Sequence, residues 1–336
     1  MSRMDAEPNQ APVLSLVTPA FREQQNLPVL YQRICNALGS ELNWEWLVVD
    51  DHSPDATFDV IRQLAASDPR VRGIRLARNS GSHIAISCAL HHVRGECAVV
   101  LASDLQDPPE AVPDLLARWR EGSQVVWAVR ARREGESAGT IGFSRLYYFI
   151  MRRLSGMKEM PATGADFFLI DRRVIEAYRE FGESNASVFA LLTWMGFRQS
   201  QITYDKQARL HGKSGWTLAK KLKLVVDSIT SFSYAPIRLM TYVGFAVALV
   251  GFLYAAFVVW NAFRGVAVQG WSSLMVVLLV VGGLQMLMLG VLGEYLWRAL
   301  EESRGRPRYI IEDVAGSLAP STHRTAAVAG RSHDPA

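Results

Sequence analysis

Two stretches near the end of the chain limit what it can fold into. Leu239 to Trp260 runs 22 residues without a charge, and Leu274 to Leu292 is a second apolar run interrupted by Gln285 and several glycines. About 20 apolar residues in a helix cross a bilayer, so the pair predicts a membrane-spanning helical hairpin. The short connection between the runs carries one charge, Arg264. Lys220, Lys221, Lys223 and Arg238 precede the pair, and Arg298, Arg304, Arg306 and Arg308 follow it. By the positive-inside rule both flanks, and with them both termini, are expected in the cytoplasm. Trp260 and Trp271 suit the outer interface and Trp297 the inner one. Gln285 is expected to hydrogen-bond to the partner helix.

The residues ahead of the hairpin read differently. Met1 to Gln10 is polar and contains Asp5 and Glu7, which does not describe a signal peptide. A formal charge of +4, with no basic stripe interleaved with aromatics, argues against a nucleic-acid partner. Cys35, Cys88 and Cys97 make no even framework and point to a reducing compartment. Cys88, His91, His92 and Cys97 match no common zinc spacing.

Short apolar runs alternate with helical patterns. Strands are expected at Val13–Val17, Trp46–Val49, Val71–Leu76, Ala98–Ala102 and Gln124–Val129. Helices are expected near Pro28–Leu38, Thr57–Ala66, through Ala89, and at Ala111–Trp119. This alternation argues an α/β fold, a mostly parallel sheet with helices on both faces. Ligands of such sheets bind beyond the carboxyl ends of the strands, and polar residues gather there. Asp104, Gln106 and Asp107 follow the fourth strand, and such oxygen donors suit Mg²⁺ or Mn²⁺ shared with substrate phosphates. A solvated turn with helix-capping acids is the plainer alternative. Asp50 and Asp51 follow the second strand, with Ser53 or Asp55 available as a helix cap. Arg130 and Arg132 follow the fifth as candidates for a phosphate, Arg133 fitting a solvated turn. His83 reads as a helix-start residue, and Phe143–Leu154 as an aromatic-rich helix of the core or the membrane surface.

Ser-Asp-Leu-Gln-Asp-Pro-Pro-Glu, from Ser103 to Glu110, resembles the metal-binding segment of inverting family 2 glycosyltransferases that load sugars onto polyprenyl or dolichyl phosphate. Asp104, Gln106 and the Pro-Pro-Glu match, whereas Ala102 stands where the first Asp of that pattern is expected. Ala20 to Leu27 resembles the first loop of the family, placing Pro19 and the acidic Glu23 by the nucleotide. Asp50-Asp51-His52-Ser53-Pro54-Asp55 is similar to the segment that holds base and ribose, and Asn79 and Gly81 also match. Thr163 to Arg172 resembles the strand whose Asp, here Asp166, lies near the sugar; Trp194-Met195-Gly196-Phe197 matches too, without the family's preceding arginine. Arg209-Leu210-His211-Gly212-Lys213-Ser214 looks like the Arg-x-x-Gly-x-Ser segment of these enzymes.

The resemblance spans roughly residues 13 to 310 with its motifs in order. It implies a polar tail (1–10), a GT-A catalytic domain (11–212), an amphipathic juxtamembrane segment (213–236), two membrane helices (237–297) and a partly disordered cytoplasmic tail (298–336). The implied reaction moves a sugar from a nucleotide diphosphate to a polyprenyl phosphate at the inner membrane, with Asp104, Asp166, Arg130 and Arg132 around the reacting atoms. Arg132, Arg209, Lys213 and Ser214 are the implied acceptor-phosphate contacts, and association of like chains is left open. UDP-glucose is the frequent bacterial donor of the family. A processive polysaccharide synthase would need Gln-x-x-Arg-Trp, and Arg118-Trp119 is preceded by Leu115 instead. A non-catalytic nucleotide-sugar sensor or scaffold is the rival that Ala102 keeps in view.

Overall fold

The computed structural model describes residues 12–131, 166–181, 187–207, 235–264 and 270–317. Residues Met1–Lys221 with Pro307–Ala336 make one compact unit, and Leu222–Arg306 a second.

The first unit is a layered α/β domain. In chain order it contains β1 (Leu14–Ala20), α1 (Asn26–Leu38), β2 (Trp44–Asp50), α2 (Thr57–Ser67), β3 (Val71–Leu76), α3 (Ser82–His92) and β4 (Cys97–Val100). A 3₁₀ turn at Pro109–Ala111 leads into α4 (Val112–Arg120) and β5 (Val125–Arg130). After an interval come β6 (Phe167–Asp171), α5 (Arg172–Arg179), α6 (Val188–Trp194) and β7 (Gln199–Tyr204). Among the described residues eight strands form one sheet in the order β7-β5-β6-β4-β1-β2-β3-β8, where β8 is Ile311–Ala315.

The central strands are buried on both faces, which is why they read as largely apolar runs. β2 is buried along its whole length. α1 presents Leu27, Leu30 and Ile34 to the sheet, all fully buried. Each such side chain contributes about 1.5–3 kcal/mol on burial. α2 lies so close to β3 that a Cβ on Gly73 would meet Ile61 Cγ2 at 2.2 Å, so nothing larger than glycine fits. At the amino ends of the strands Glu45 is 5% exposed and accepts from Ser15 Oγ at 2.6 Å, Arg72 Nη2 at 2.6 Å and the Arg94 N–H at 2.8 Å.

Two features add to the expected pattern. β6 runs antiparallel to both β4 and β5, so the mostly parallel sheet is also mixed. The residues after the hairpin, expected as a tail, include β8, which pairs antiparallel with β3 and covers that edge. Residues from 318 onward, Phe143–Leu154 and residues 213–234 of the amphipathic segment expected at 213–236 lie outside the described residues.

The second unit holds α7 (Ala235–Phe263) and α8 (Trp271–Ser303). Within them Pro236–Asn261 and Leu274–Ser303 are long and apolar enough to cross a membrane. Their apolar side chains face outward, Phe252 at 75% and Met286 at 70% exposure. An apolar surface of that extent is unfavourable in water and suits lipid. Gly244 allows α7 to approach Met288 on α8.

Candidate active site

The chain lays down β1, β2 and β3 in one direction across the sheet, then returns to place β4 on the far side of β1. The strand order therefore reverses between β1 and β4, a switch point that leaves a crevice beyond the carboxyl ends of both strands. A cleft of about 480 Å³ lies there, on the scale of small-molecule sites. Pro19 and Glu23 line it from β1, Asp51 from β2, and Ala102, Asp104, Gln106 and Asp107 from β4.

Each acid has a distinct setting. Asp51 is buried, and its two oxygens accept from the backbone N–H groups of Ser80 and Gly81, both at 2.7 Å. That contact shapes the turn after β3, where Gly81 adopts a φ of 92° that favours glycine. Asp50 is fully buried and accepts from the Ser53 N–H at 3.1 Å and Arg75 Nη1 at 3.0 Å. Burial pushes both carboxyls above their usual value against these donors. Glu23 receives Asn26 Nδ2 at 2.6 Å, while its carbonyl accepts from the N–H groups of Asn26 and Leu27. Glu23 thus both starts a helix and faces the cleft.

The Asp104 loop is kinked at Leu105, whose φ is 62°. Leu105 is buried at 1% exposure, whereas its neighbours Asp104 and Gln106 line the cleft. Asp104 Oδ1 accepts from the Gln106 N–H at 3.2 Å. Asp107 is 1% exposed and accepts from Tyr204 Oη at 2.7 Å and from the Ala102 N–H at 3.4 Å. Burial raises its carboxyl, Lys206 and Tyr204 oppose that, and Asp166 and Asp104 add to it. Glu110, which ends the same segment, is bound by Arg33 on α1 through Nε at 3.0 Å and Nη2 at 2.6 Å, a brace outside the cleft lining.

The antiparallel β6 explains how distant residues join this group. Its register sets Phe167 opposite Ala128, so Asp166, just before β6, meets Arg130 at the end of β5 with an N···O distance of 3.3 Å. β7 pairs Tyr204 with Arg130, which brings Tyr204 to Asp107 and Lys206 into the cleft. His83, Phe189 and Lys206 also line the cleft although sequence reasoning gave them no part in it. The His83 ring lies edge-on to Phe189 with centroids 5.0 Å apart. Asn79 is exposed and does not line the cleft. Arg132, Arg209, Lys213 and Ser214 lie outside the described residues.

The donor set discriminates among cations. Asp104 and Gln106 offer oxygens to the cleft, Ala102 offers none, and the Asp107 carboxylate is engaged by Tyr204. Among the described residues no three His, Cys, Asp or Glu side chains could hold a metal together. This set fits a hard ion that keeps waters and takes further oxygens from a ligand's phosphates, as Mg²⁺ does.

Residues 15–179 match the family described as Glycosyl transferase family 2, and residues 235–298 match the GtrB C-terminal hairpin. The "Uncharacterized glycosyltransferase YkcC" of Bacillus subtilis is 37% identical, covering 90% of this chain and 94% of its own length. The "Prophage bactoprenol glucosyl transferase homolog" of Escherichia coli is 35% identical over 90% of this chain and 99% of its own. The bactoprenol glucosyl transferase of Shigella phage SfV is 35% identical over 89% and 98%. Glucosyl-3-phosphoglycerate synthase of Mycobacterium tuberculosis, crystallised with Mn²⁺, UDP-glucose and phosphoglyceric acid, superposes with a TM-score of 0.50 at 16% identity. That match covers 65% of this chain and 79% of the synthase, and it shows the fold as GT-A. With relatives aligned through sheet, cleft and hairpin alike, the chain belongs to glycosyltransferase family 2 and is a hexosyltransferase built on a GT-A domain.

Proposed function

We propose that the protein transfers glucose from UDP-glucose to a polyprenyl phosphate, undecaprenyl phosphate in bacteria, at the cytoplasmic face of the inner membrane. The observation that carries this reading is an acidic cleft at the sheet's switch point in the same chain as a helical pair with lipid-suited surfaces. Relatives named bactoprenol glucosyl transferases, aligned along about nine-tenths of the chain, support the acceptor and the sugar. The UDP-glucose complex of the structural neighbour supports the nucleotide.

The chemistry follows from charge. A lipid phosphate monoester has a second pKa of about 6, so its oxygen is already ionised at neutral pH and needs orientation more than a general base. That oxygen bonds to the anomeric carbon as the bond to the nucleoside diphosphate breaks on the opposite face, inverting the centre. Arg130 and Asp166, paired at 3.3 Å, stand where they can hold the hydroxyls of the sugar. Lys206 offsets charge on the departing diphosphate. Mg²⁺ or Mn²⁺ bound through Asp104 and Gln106 would supply further neutralisation of that leaving group. Arg132, Arg209, Lys213 and Ser214 are assigned to the acceptor phosphate; in the sequence Arg209 and Lys213 adjoin the amphipathic run that is assigned to the membrane surface.

The test offers a panel of radiolabelled nucleotide sugars to membranes containing the protein. Label from UDP-glucose should enter a lipid phosphate, and transfer from another donor alone would reassign sugar or nucleotide. Ala102 favours a second reading, nucleotide-sugar binding without transfer, and turnover of any donor removes it.

A further inference from the structure

β8 reaches the loop that follows β2 through Arg75 and His52. Arg75, on β3, has three separate donors in use: Nη1 to Asp50 Oδ2 at 3.0 Å, Nη2 to the Ser53 carbonyl at 3.2 Å, and Nε to Glu312 Oε2 at 3.0 Å. Glu312 lies on β8, 237 residues further along the chain. The first two contacts clamp the loop that begins at Asp50. The third sets the plane of the guanidinium that does the clamping, and a guanidinium is rigid, so fixing one edge orients the others. The same loop is tied across to the Glu23 loop, because the Arg22 N–H donates to Ser53 Oγ at 2.9 Å. His52, held at a φ of 58°, places Nδ1 3.1 Å from the same Glu312 oxygen. Asp51, whose side chain lines the cleft, sits between these anchored residues.

We infer that Glu312 is a positioning residue for the donor nucleotide, acting through Arg75 on the Asp50–Ser53 loop, so that the strand following the hairpin completes the nucleotide site. This rests on the reading of Asp51, which lines the cleft, as the nucleotide's contact, with Asp50 buried beside it as the loop's anchor. A neighbouring residue supplies the control. Asp313, next on β8, pairs with Arg62 on α2, and Arg62 makes its other ion pair with Asp59 at 3.1 Å, away from the loop. The two acids are comparably exposed, at 45% and 41% of their side chains. Each acid ties β8 to the sheet unit through an arginine, yet Glu312 alone of the two is linked to Asp50.

Full-length protein in detergent is titrated with UDP in the presence of Mn²⁺, as wild type, Glu312→Gln and Asp313→Asn, with a thermal melt for each. A partly exposed contact of this kind is worth about 1 kcal/mol, so UDP affinity should fall about five-fold in Glu312→Gln. Asp313→Asn should bind as wild type, and both melts should move equally little. In turnover the donor KM of Glu312→Gln should rise with kcat held. Equal affinities for the three proteins, or equal losses in both variants, would overturn the inference. Wild-type protein that binds neither UDP nor GDP would instead overturn the nucleotide reading on which it stands.

Discussion

Asp104 and Asp107 sit in one loop, and the same change from carboxylate to amide should break different things. Asp107 is buried at 1% exposure, with Tyr204 Oη donating at 2.7 Å and the Ala102 N–H at 3.4 Å. Asparagine keeps an acceptor oxygen there but loses charge assistance, a loss of about 1 kcal/mol. Removing a buried charge partly offsets that. Asp107→Asn should therefore shift stability by about 1 kcal/mol in either direction, with turnover per folded molecule within about ten-fold of wild type. Asp104 lines the cleft and is partly exposed, so Asp104→Asn should leave stability within about 0.5 kcal/mol. Turnover should nevertheless fall about 10²–10³-fold, equivalent to about 2.7–4 kcal/mol of transition-state stabilisation at the leaving diphosphate. Label transfer into lipid, normalised to the folded fraction from a thermal melt, separates the two. Similar losses of turnover, or a larger loss for Asp107→Asn, would refute the placement of the cation at Asp104.

Other regions carry their own expectations. Glu45→Ala leaves Arg72 on β3 charged and buried, so the domain should lose about 3–5 kcal/mol by denaturant titration, while UDP affinity of the folded fraction stays the same. His92 is buried, and burial, joined by Arg72 and Arg179, holds its imidazole below the usual 6.5. The unfolded chain then binds a proton that the folded one does not, so the stability present above about pH 6.5 should decline as the pH falls below that value. His92→Gln should flatten that slope, and an unchanged slope would count against the assignment. A reporter fused after Ala336 should report the cytoplasm and one inserted near Gly265 the exterior; an external C-terminus would sink the proposed topology.

The portions of the fold that could be read in advance are those whose signal is local. β1 to β5 are short apolar runs because a sheet covered on both faces has no polar side to alternate with. The acids at their ends were visible as breaks in those runs, and the crevice beyond the carboxyl ends of the strands holds Glu23, Asp51, Asp104 and Asp166 together. β8 escaped because an edge strand of five residues with Glu312 and Asp313 inside it has no apolar run, and its partner β3 lies more than 200 residues earlier. Asp107 reads as a metal ligand from its spacing from Asp104, which is all that the sequence displays. The structure adds a partner that spacing does not reveal, Tyr204, which arrives on β7 from 97 residues away. His83 does begin a helix, but α3 starts at the cleft wall, so a helix-start residue there also faces the ligand space.

The most direct test of the central claim uses purified protein reconstituted with undecaprenyl phosphate and radiolabelled UDP-glucose. Label should pass into a lipid monophosphate diester only when the lipid and Mg²⁺ or Mn²⁺ are both present, with UDP released in equal amount. UDP-glucose that binds without turnover, or label that moves to water with no lipid product, would contradict the account.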